Sequence, residues 1–126
     1  MLKSSPAVAV VAVADLDRGK EFYGLTLGLG EPDVSYPHGV LYGCGADTQL
    51  LVYETSFAGS NEATAAVWEV DDLDAVVSAL RSKGITFEQY DLPGVERDGD
   101  IHTVAGLRAV WFKDPDGNIL NLVAGA

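Results

Sequence analysis

The sequence predicts an α+β fold built from two βαβββ modules. The motif VADLD at residues 13–17 returns 57 residues later as VDDLD at 70–74. Each copy follows an apolar run, opens a segment with helical spacing, and is followed by further strand-like runs. A repeat of this length indicates two copies of one supersecondary unit. We therefore predict a single domain over 1–126, with module one at 1–57, a linker at 58–64 and module two at 65–126.

The first module opens with an apolar, β-branched run from Ala7 to Ala14. Because both parities are apolar, this run predicts a strand that is buried on both faces. Asp15 or Asp17 then suits the N-cap of a helix. The apolar stripe of that helix is Leu16, Phe22, Tyr23 and Leu27, and Gly28 and Gly30 end it.

The rest of module one predicts three strands after the helix. The first, between Gly30 and Gly39, is expected to be short because Pro32 and Pro37 limit it. A hairpin follows. Its strands are 39–45 and 48–54, and its turn is Ala46-Asp47.

Module two repeats this order, and its predicted elements are a strand at 65–70, a helix capped by Asp71 or Asp72 and ended by Gly84, and strands at 85–90, 107–113 and 118–123. The helix has Leu73, Val76, Val77 and Leu80 on one face. Asp114-Pro115-Asp116-Gly117 predicts a tight turn, because Pro presets φ and Gly accepts positive φ. The segment Asp91–Gly106 is long for a loop and predicts a lid over a binding site.

Composition limits the class of partner. The formal net charge is −11, which disfavours nucleic acid and anionic membranes and favours cationic ligands. Cys44 is the single cysteine, so no internal disulfide forms, and we expect it to be a small buried apolar group. The N-terminal run imitates a signal peptide, but its counterpart at 65–70 lies mid-chain. We therefore predict a retained strand and a cytoplasmic protein.

The doubled module, the opening VADLDRGKEFYGLTLGL and the closing WFKDPDGNILNLV together resemble the vicinal oxygen chelate superfamily. This group includes glyoxalase I, bleomycin-resistance proteins, fosfomycin-resistance enzymes and extradiol dioxygenases. The resemblance covers nearly the whole chain. It implies that the two βαβββ modules form a cupped mixed β-sheet, whose concave face holds a small molecule and, in the enzymes, a divalent metal. It also implies a homodimer, in some members with exchanged modules.

The resemblance places four metal-ligand positions on the inward strands, at Val8, Leu51, Ala65 and Asn121. A divalent ion needs nitrogen or oxygen donors, and three of these side chains have none. A shifted alignment brings in Tyr53 or Glu54, but a one-residue slip would turn the inward set outward. We therefore expect neither a metal nor another cofactor.

Strand parity predicts the ligand-binding residues, because alternate side chains share one face. Trp68 and Phe112 are predicted to face the helices, whereas the face of Tyr42 stays undetermined. His38 and His102 lie in predicted turn or loop segments, and surface exposure is the simpler reading for both. His102 is nevertheless a candidate if the lid overhangs the cup. The predicted ligand-binding set is Val8, Leu51, Tyr53, Ala65, Val67, His102, Trp111 and Asn121.

These inferences predict a metal-independent protein that binds a small apolar, aromatic or cationic molecule. Its role would be drug-sequestering and would resemble the bleomycin-binding branch of the superfamily. The alternative is a lyase, isomerase or dioxygenase of the same superfamily, with Glu54, Glu69 or His102 as the weak candidates for a general base. A catalytically silent interaction module is a third possibility, and a ligand-sized cavity would disfavour it. The identity of the ligand does not follow from the sequence.

Overall fold

The computed structural model describes residues 1–125 and shows an α+β fold with one sheet in each module. In module one the strand order is β1-β4-β3-β2, and only the β1–β4 pair is parallel. The elements are β1 (Ala9–Val13), α1 (Leu16–Lys20, continued by a π-helical segment Glu21–Thr26), β2 (Val34–Tyr36), β3 (Gly39–Gly43), a 3₁₀ turn (Gly45–Asp47) and β4 (Gln49–Glu54).

Module two has the order β5-β9-β8-β7-β6, again with one parallel pair, β5–β9. It therefore repeats module one and adds β6 at the outer edge. Its elements are β5 (Thr64–Glu69), α2 (Leu73–Ser82), β6 (Glu96–Asp98), β7 (Ile101–Val104), β8 (Leu107–Lys113) and β9 (Ile119–Ala124). The mixed α+β class is confirmed, but the ladder does not continue from β1 to β5, so the cup has two sheets rather than one.

The repeated acidic motif caps both helices, as predicted. The Asp15 carboxylate accepts a hydrogen bond from the Arg18 backbone N–H at 3.2 Å, and Asp72 accepts one from Ala75 N–H at 3.0 Å. Each bond satisfies one of the free N–H groups of a helix N-terminus. At the other ends, Gly28 and Gly84 adopt φ values of 76° and 91°, which a glycine accepts without strain.

The prediction that β1 is buried on both faces is wrong. Val11 and Val13 are 1% and 0% exposed, whereas Val10 is 47% exposed. The buried parity packs against the helices, and the other parity lies on the open side of the sheet. The apolar residues of β1 therefore serve two faces: alternate side chains pack in the core, and the others form an exposed apolar surface.

The segment after α2 also differs from the prediction. Residues 85–90 form no strand, and only Phe87 makes an isolated bridge, to Phe112. The strand that pairs with β8 on the side away from β9 is β7, which lies inside the predicted loop 91–106. A two-residue turn explains why β7 pairs with β8. Ala105 and Gly106 join the two strands with φ values of 50° and 82°, as a type I′ hairpin requires. The predicted lid is thus a β-hairpin at the edge of the sheet.

The tip of this hairpin is held against α2 by the Asp100 carboxylate. Arg81 donates to it at 2.6 Å and Gln89 at 2.9 Å. The hydrogen bond from Gln89 and the one from Arg81 hold the pKa of Asp100 below its ordinary value. Because the folded-state pKa is lowered, this stabilisation is present above the unfolded pKa and is lost as pH falls through the folded value.

We therefore expect Asp100→Asn to lower the free energy of unfolding by about 1 kcal/mol at pH 7, a small effect because Arg81 is half exposed. The difference from wild type should vanish in acid, below the folded pKa of Asp100. Urea unfolding at a series of pH values measures both. Asp98→Asn, on the same hairpin, is the control, and an unchanged difference across the pH series would contradict the prediction.

The two modules share one core, and the predicted turn at 114–117 of module two is hydrogen-bonded to module one. Gly117 N–H donates to the Asp114 carbonyl at 3.0 Å, which confirms the turn. The Asp114 carboxylate accepts from the Tyr23 hydroxyl of module one at 2.7 Å, and Asn118 Nδ2 donates to the Ala12 carbonyl at 2.7 Å. Burial and the nearby Asp114 carboxylate raise the pKa of Tyr23 far above its ordinary value, so the phenol stays a donor.

Candidate functional site

A groove of about 610 Å³ lies on the open face of module one. Leu51 forms the centre of its floor, because it pairs with Val10 of β1 on one side and with Leu41 of β3 on the other. Leu50 and Val52, its neighbours along β4, are buried on the helix side. The groove is lined by Val8, Val10, Tyr36, Pro37, His38, Gly39, Leu41, Gln49, Leu51 and Tyr53.

The groove opens to solvent, although its walls are apolar. Val10 is 47% exposed and Tyr53 is 38% exposed. Polar groups occur at the two ends. Gln49 lies at the start of β4, and His38 lies in the β2–β3 turn, where its carbonyl accepts from Glu54 N–H at 2.7 Å. An apolar pocket with few polar groups at defined positions is typical of small-molecule sites.

The matching face of module two is filled by its own side chains. Trp111 lies opposite Asn121 in the ladder, and Val67 lies opposite Asn121 on the other side. The Trp111 ring packs edge-on against His102 at 4.8 Å and against Tyr90 at 5.6 Å between centroids. Burial raises the pKa of Tyr90, and the Glu88 carboxylate raises it further. This aromatic cluster therefore occupies the space where a second groove would lie.

His102 is not a loop residue exposed to solvent. It lies in β7 and is 0% exposed. Its Nε2 accepts from Tyr90 N–H at 2.9 Å, so Nδ1 carries the hydrogen and donates to the Asp100 carbonyl at 3.0 Å. With both nitrogens bonded within the fold, the ring positions the strand and presents neither nitrogen to the groove.

Of the remaining polar candidates, Asn121 and Glu54 are held by hydrogen bonds within the fold, whereas Glu69 is exposed outside the groove. Asn121 is 6% exposed and donates to the Val110 carbonyl at 2.9 Å. The Glu54 carboxylate accepts from Leu16 N–H at 3.0 Å and so helps to cap α1. Glu69 lines a separate crevice beside Asp71. None of these carboxylates lines the groove.

The structure brings three of the eight predicted ligand-binding residues together, namely Val8, Leu51 and Tyr53. The other five, Ala65, Val67, His102, Trp111 and Asn121, belong to module two. Val67 is 55% exposed and lines a small crevice between the modules with Cys44, which is half-buried there. Phe112 is buried as predicted, and Tyr42 turns to the helix side, where it is 1% exposed.

Sequence reasoning left Gln49, Leu41 and Tyr36 out of the site. Gln49 shares the parity of Leu51 and Tyr53, so strand alternation carried the signal for it. The positions of Leu41 and Tyr36 depend on the pairing of β3 with β4 and of β2 with β3. That register does not follow from a single strand.

A family model of the Glyoxalase/Bleomycin resistance protein/Dioxygenase superfamily matches residues 6–122. The chain belongs to this superfamily. Among curated proteins, none matches the sequence.

Solved structures of glyoxalase/bleomycin-resistance proteins have the same fold. A lactoylglutathione lyase from Agrobacterium tumefaciens is 20% identical with a TM-score of 0.70, over 97% of this chain and 94% of that one. TnmS3, an antibiotic-binding protein from Streptomyces sp. CB03234, is 24% identical with a TM-score of 0.65, over 98% of each chain. A glyoxalase/bleomycin resistance protein from Catenulispora acidiphila DSM 44928 is 26% identical with a TM-score of 0.68, over 98% of this chain and all of that one.

The metal of the superfamily's enzymes does not fit the side chains that stand at its four expected positions. Val8, Leu51 and Ala65 have no donor atom, and the Asn121 amide is buried and bonded to a backbone carbonyl. Within residues 1–125, no group of three or more His, Cys, Asp or Glu side chains is placed to hold a metal ion. No helix in the same part of the chain is long and apolar enough to span a bilayer.

Proposed function

We propose that this member of the glyoxalase/bleomycin resistance superfamily binds a small apolar or aromatic molecule in the module-one groove, without a metal ion. The observation that carries the proposal is the groove itself, which is large enough for a drug-sized aromatic molecule and has an apolar floor. Burial of about 200 Å² of apolar ligand surface would contribute about 5 kcal/mol before the cost of association.

Within this proposal, Val8, Leu51 and Tyr53 contact the ligand directly. Ala65, Val67 and Trp111 form the adjoining apolar face, and His102 and Asn121 hold that face in place through their bonds to the backbone. The first three residues supply contact area rather than donors or acceptors, apart from the Tyr53 hydroxyl. Selectivity then depends mainly on shape.

A drug-sequestering role in the cytoplasm is the cellular function that we propose. Its support is the likeness to TnmS3, whose structure is described as that of an antibiotic-binding protein. We also propose a homodimer in which a second copy closes the open side of the groove over its ligand, because the groove leaves a contiguous set of apolar side chains exposed. The exposed set is Val8, Val10, Val34, Tyr36 and Tyr53. Light scattering that gives the mass of one chain would contradict the dimer.

A lyase, isomerase or dioxygenase activity has less support. A metal-free enzyme needs a base within reach of the bound molecule. Glu54 is bonded to Leu16, both nitrogens of His102 are bonded, and Glu69 lies in another crevice. None of these three candidates is therefore an unbonded base in the groove, and the apolar contacts there favour holding a molecule over transforming it.

Thermal unfolding with bleomycin and a panel of aromatic antibiotics tests the proposal. A binder at 100 times its Kd should stabilise the fold by about 2.7 kcal/mol and raise Tm by several degrees. The same sample, purified without chelator, should contain no stoichiometric zinc, iron, nickel or manganese by elemental analysis. A metal at one equivalent whose loss abolishes binding would overturn metal independence. The absence of any Tm shift with every compound would overturn drug binding.

A further inference from the structure

One end of the groove carries a carboxylate that its lining alone does not reveal. Gly43 pairs with Gln49 at this end, two residues along β3 from Leu41, so its missing side chain would point into the groove. The Asp33 Oδ2 atom occupies that direction, 2.7 Å from where a Cβ of residue 43 would lie. The glycine thus leaves the space in which the Asp33 carboxylate rests.

The Asp33 carboxylate has no cationic partner within residues 1–125. No ion pair joins it to Lys or Arg. Six of the eight Lys and Arg side chains are bonded to other groups: Arg18, Arg81, Lys83, Arg97, Arg108 and Lys113. The carboxylate is therefore free to pair with a cation that comes from outside the chain.

The lining residues at the opposite end of the groove include no carboxylate. Gly39 pairs with Tyr53 there, and His38 and Tyr36 lie beside them. Gly39 and Gly43 are four positions apart in β3, which corresponds to about 14 Å of strand. The floor between the two ends is apolar. The two ends of the groove therefore differ in chemistry: a carboxylate lies at the Gln49 end, and aromatic side chains lie at the other end.

We propose that the ligand of this groove is an elongated aromatic molecule with a protonated amine at one end, and that Asp33 receives the amine beside Gln49. This inference rests on the proposed function and specifies its ligand class. The apolar floor takes the ring system, and the carboxylate sets its direction. An exposed carboxylate contributes modestly, so the amine adds about fivefold in affinity to what the rings provide.

Two fluorescent probes of equal shape test the inference: 2-(aminomethyl)anthracene and its neutral analogue 2-(hydroxymethyl)anthracene. In wild type the amine should bind about five times more tightly than the alcohol, and the ratio should fall towards one at high salt. Asp33→Asn should remove the preference without changing the affinity for the alcohol. Asp98→Asn, which removes the same charge from β6, should leave the ratio unchanged.

Gly43→Ala provides a second, independent variant. The new methyl group would push the flexible Asp33 side chain aside while the backbone stays in place, so the amine preference should fall although the carboxylate is still present. Equal binding of both probes to wild type, or an unchanged ratio in Asp33→Asn, would overturn the role of Asp33 and leave the proposed function standing. If neither probe binds at its solubility limit, the groove is not an aromatic site, and both proposals fail.

Discussion

Replacement of Asp114 by Ala should lower the free energy of unfolding by about 3–5 kcal/mol. Asp114 is 5% exposed, and its carboxylate accepts four hydrogen bonds. Its Oδ1 accepts from the backbone N–H groups of Asp116 and Asn118, and its Oδ2 accepts from the Tyr23 hydroxyl and Asn118 Nδ2. The substitution would leave several donors buried without an acceptor, which costs more than the bonds themselves contribute.

Urea unfolding monitored by circular dichroism measures this effect. Tyr23→Phe removes only one of the four donors, so it should cost about 1 kcal/mol and still give a folded protein if the Asp114 variant does not fold. In the double variant the two losses should not add, because both changes remove the same bond. A loss below 1 kcal/mol in Asp114→Ala would show that the junction does not depend on this carboxylate.

Replacement of Leu51 by Arg should reduce the affinity for 2-(hydroxymethyl)anthracene by about 100-fold. Leu51 lies at the centre of the groove floor, between Val10 and Leu41. Arg would fill the space for the ring and place a charge on the surface that the ring covers, so apolar contact worth about 3 kcal/mol is lost. Because residue 51 faces the open groove, the fold itself should lose about 1 kcal/mol or less.

Fluorescence titration of both proteins with this probe gives the ratio of Kd values. Leu25→Arg is the matched control, since Leu25 is 72% exposed in the helical segment after α1 and does not line the groove. It should bind the probe as wild type does. A Leu51→Arg variant that keeps its affinity within threefold of wild type would place the binding site elsewhere on the protein.

The sequence predicts the parts of this fold that local rules determine. The repeated Asp-Leu motif identifies two helix starts, and in both copies the aspartate before the leucine, Asp15 or Asp72, makes the capping bond. Strand parity separates Leu51 and Tyr53 from the buried Leu50 and Val52. These features depend on residues that are close in the chain, so a single sequence is enough to find them.

The errors occur where pairing between distant segments decides the outcome. The Ala105-Gly106 turn allows β7 to pair with β8, and the segment at Phe87 is then left with a single bridge. His102 is buried because β7 belongs to the sheet, and Trp111 and Tyr90 can then pack on its ring. Distant pairing also explains why only module one has this groove. The side chains that fill the matching face of module two come from separate elements, so no single segment predicts them.

The contact between the halves is unequal in a way that the internal repeat conceals. The turn at 114–118 offers a carboxylate and an amide to module one, whereas the corresponding turn, Gly45–Asp47, is a short 3₁₀ segment whose backbone bonds stay within module one. Tyr23 and Ala12 depend on groups that only the second half supplies. The duplication has therefore produced complementary parts: the half that carries the groove depends for its stability on a turn that does not line the groove.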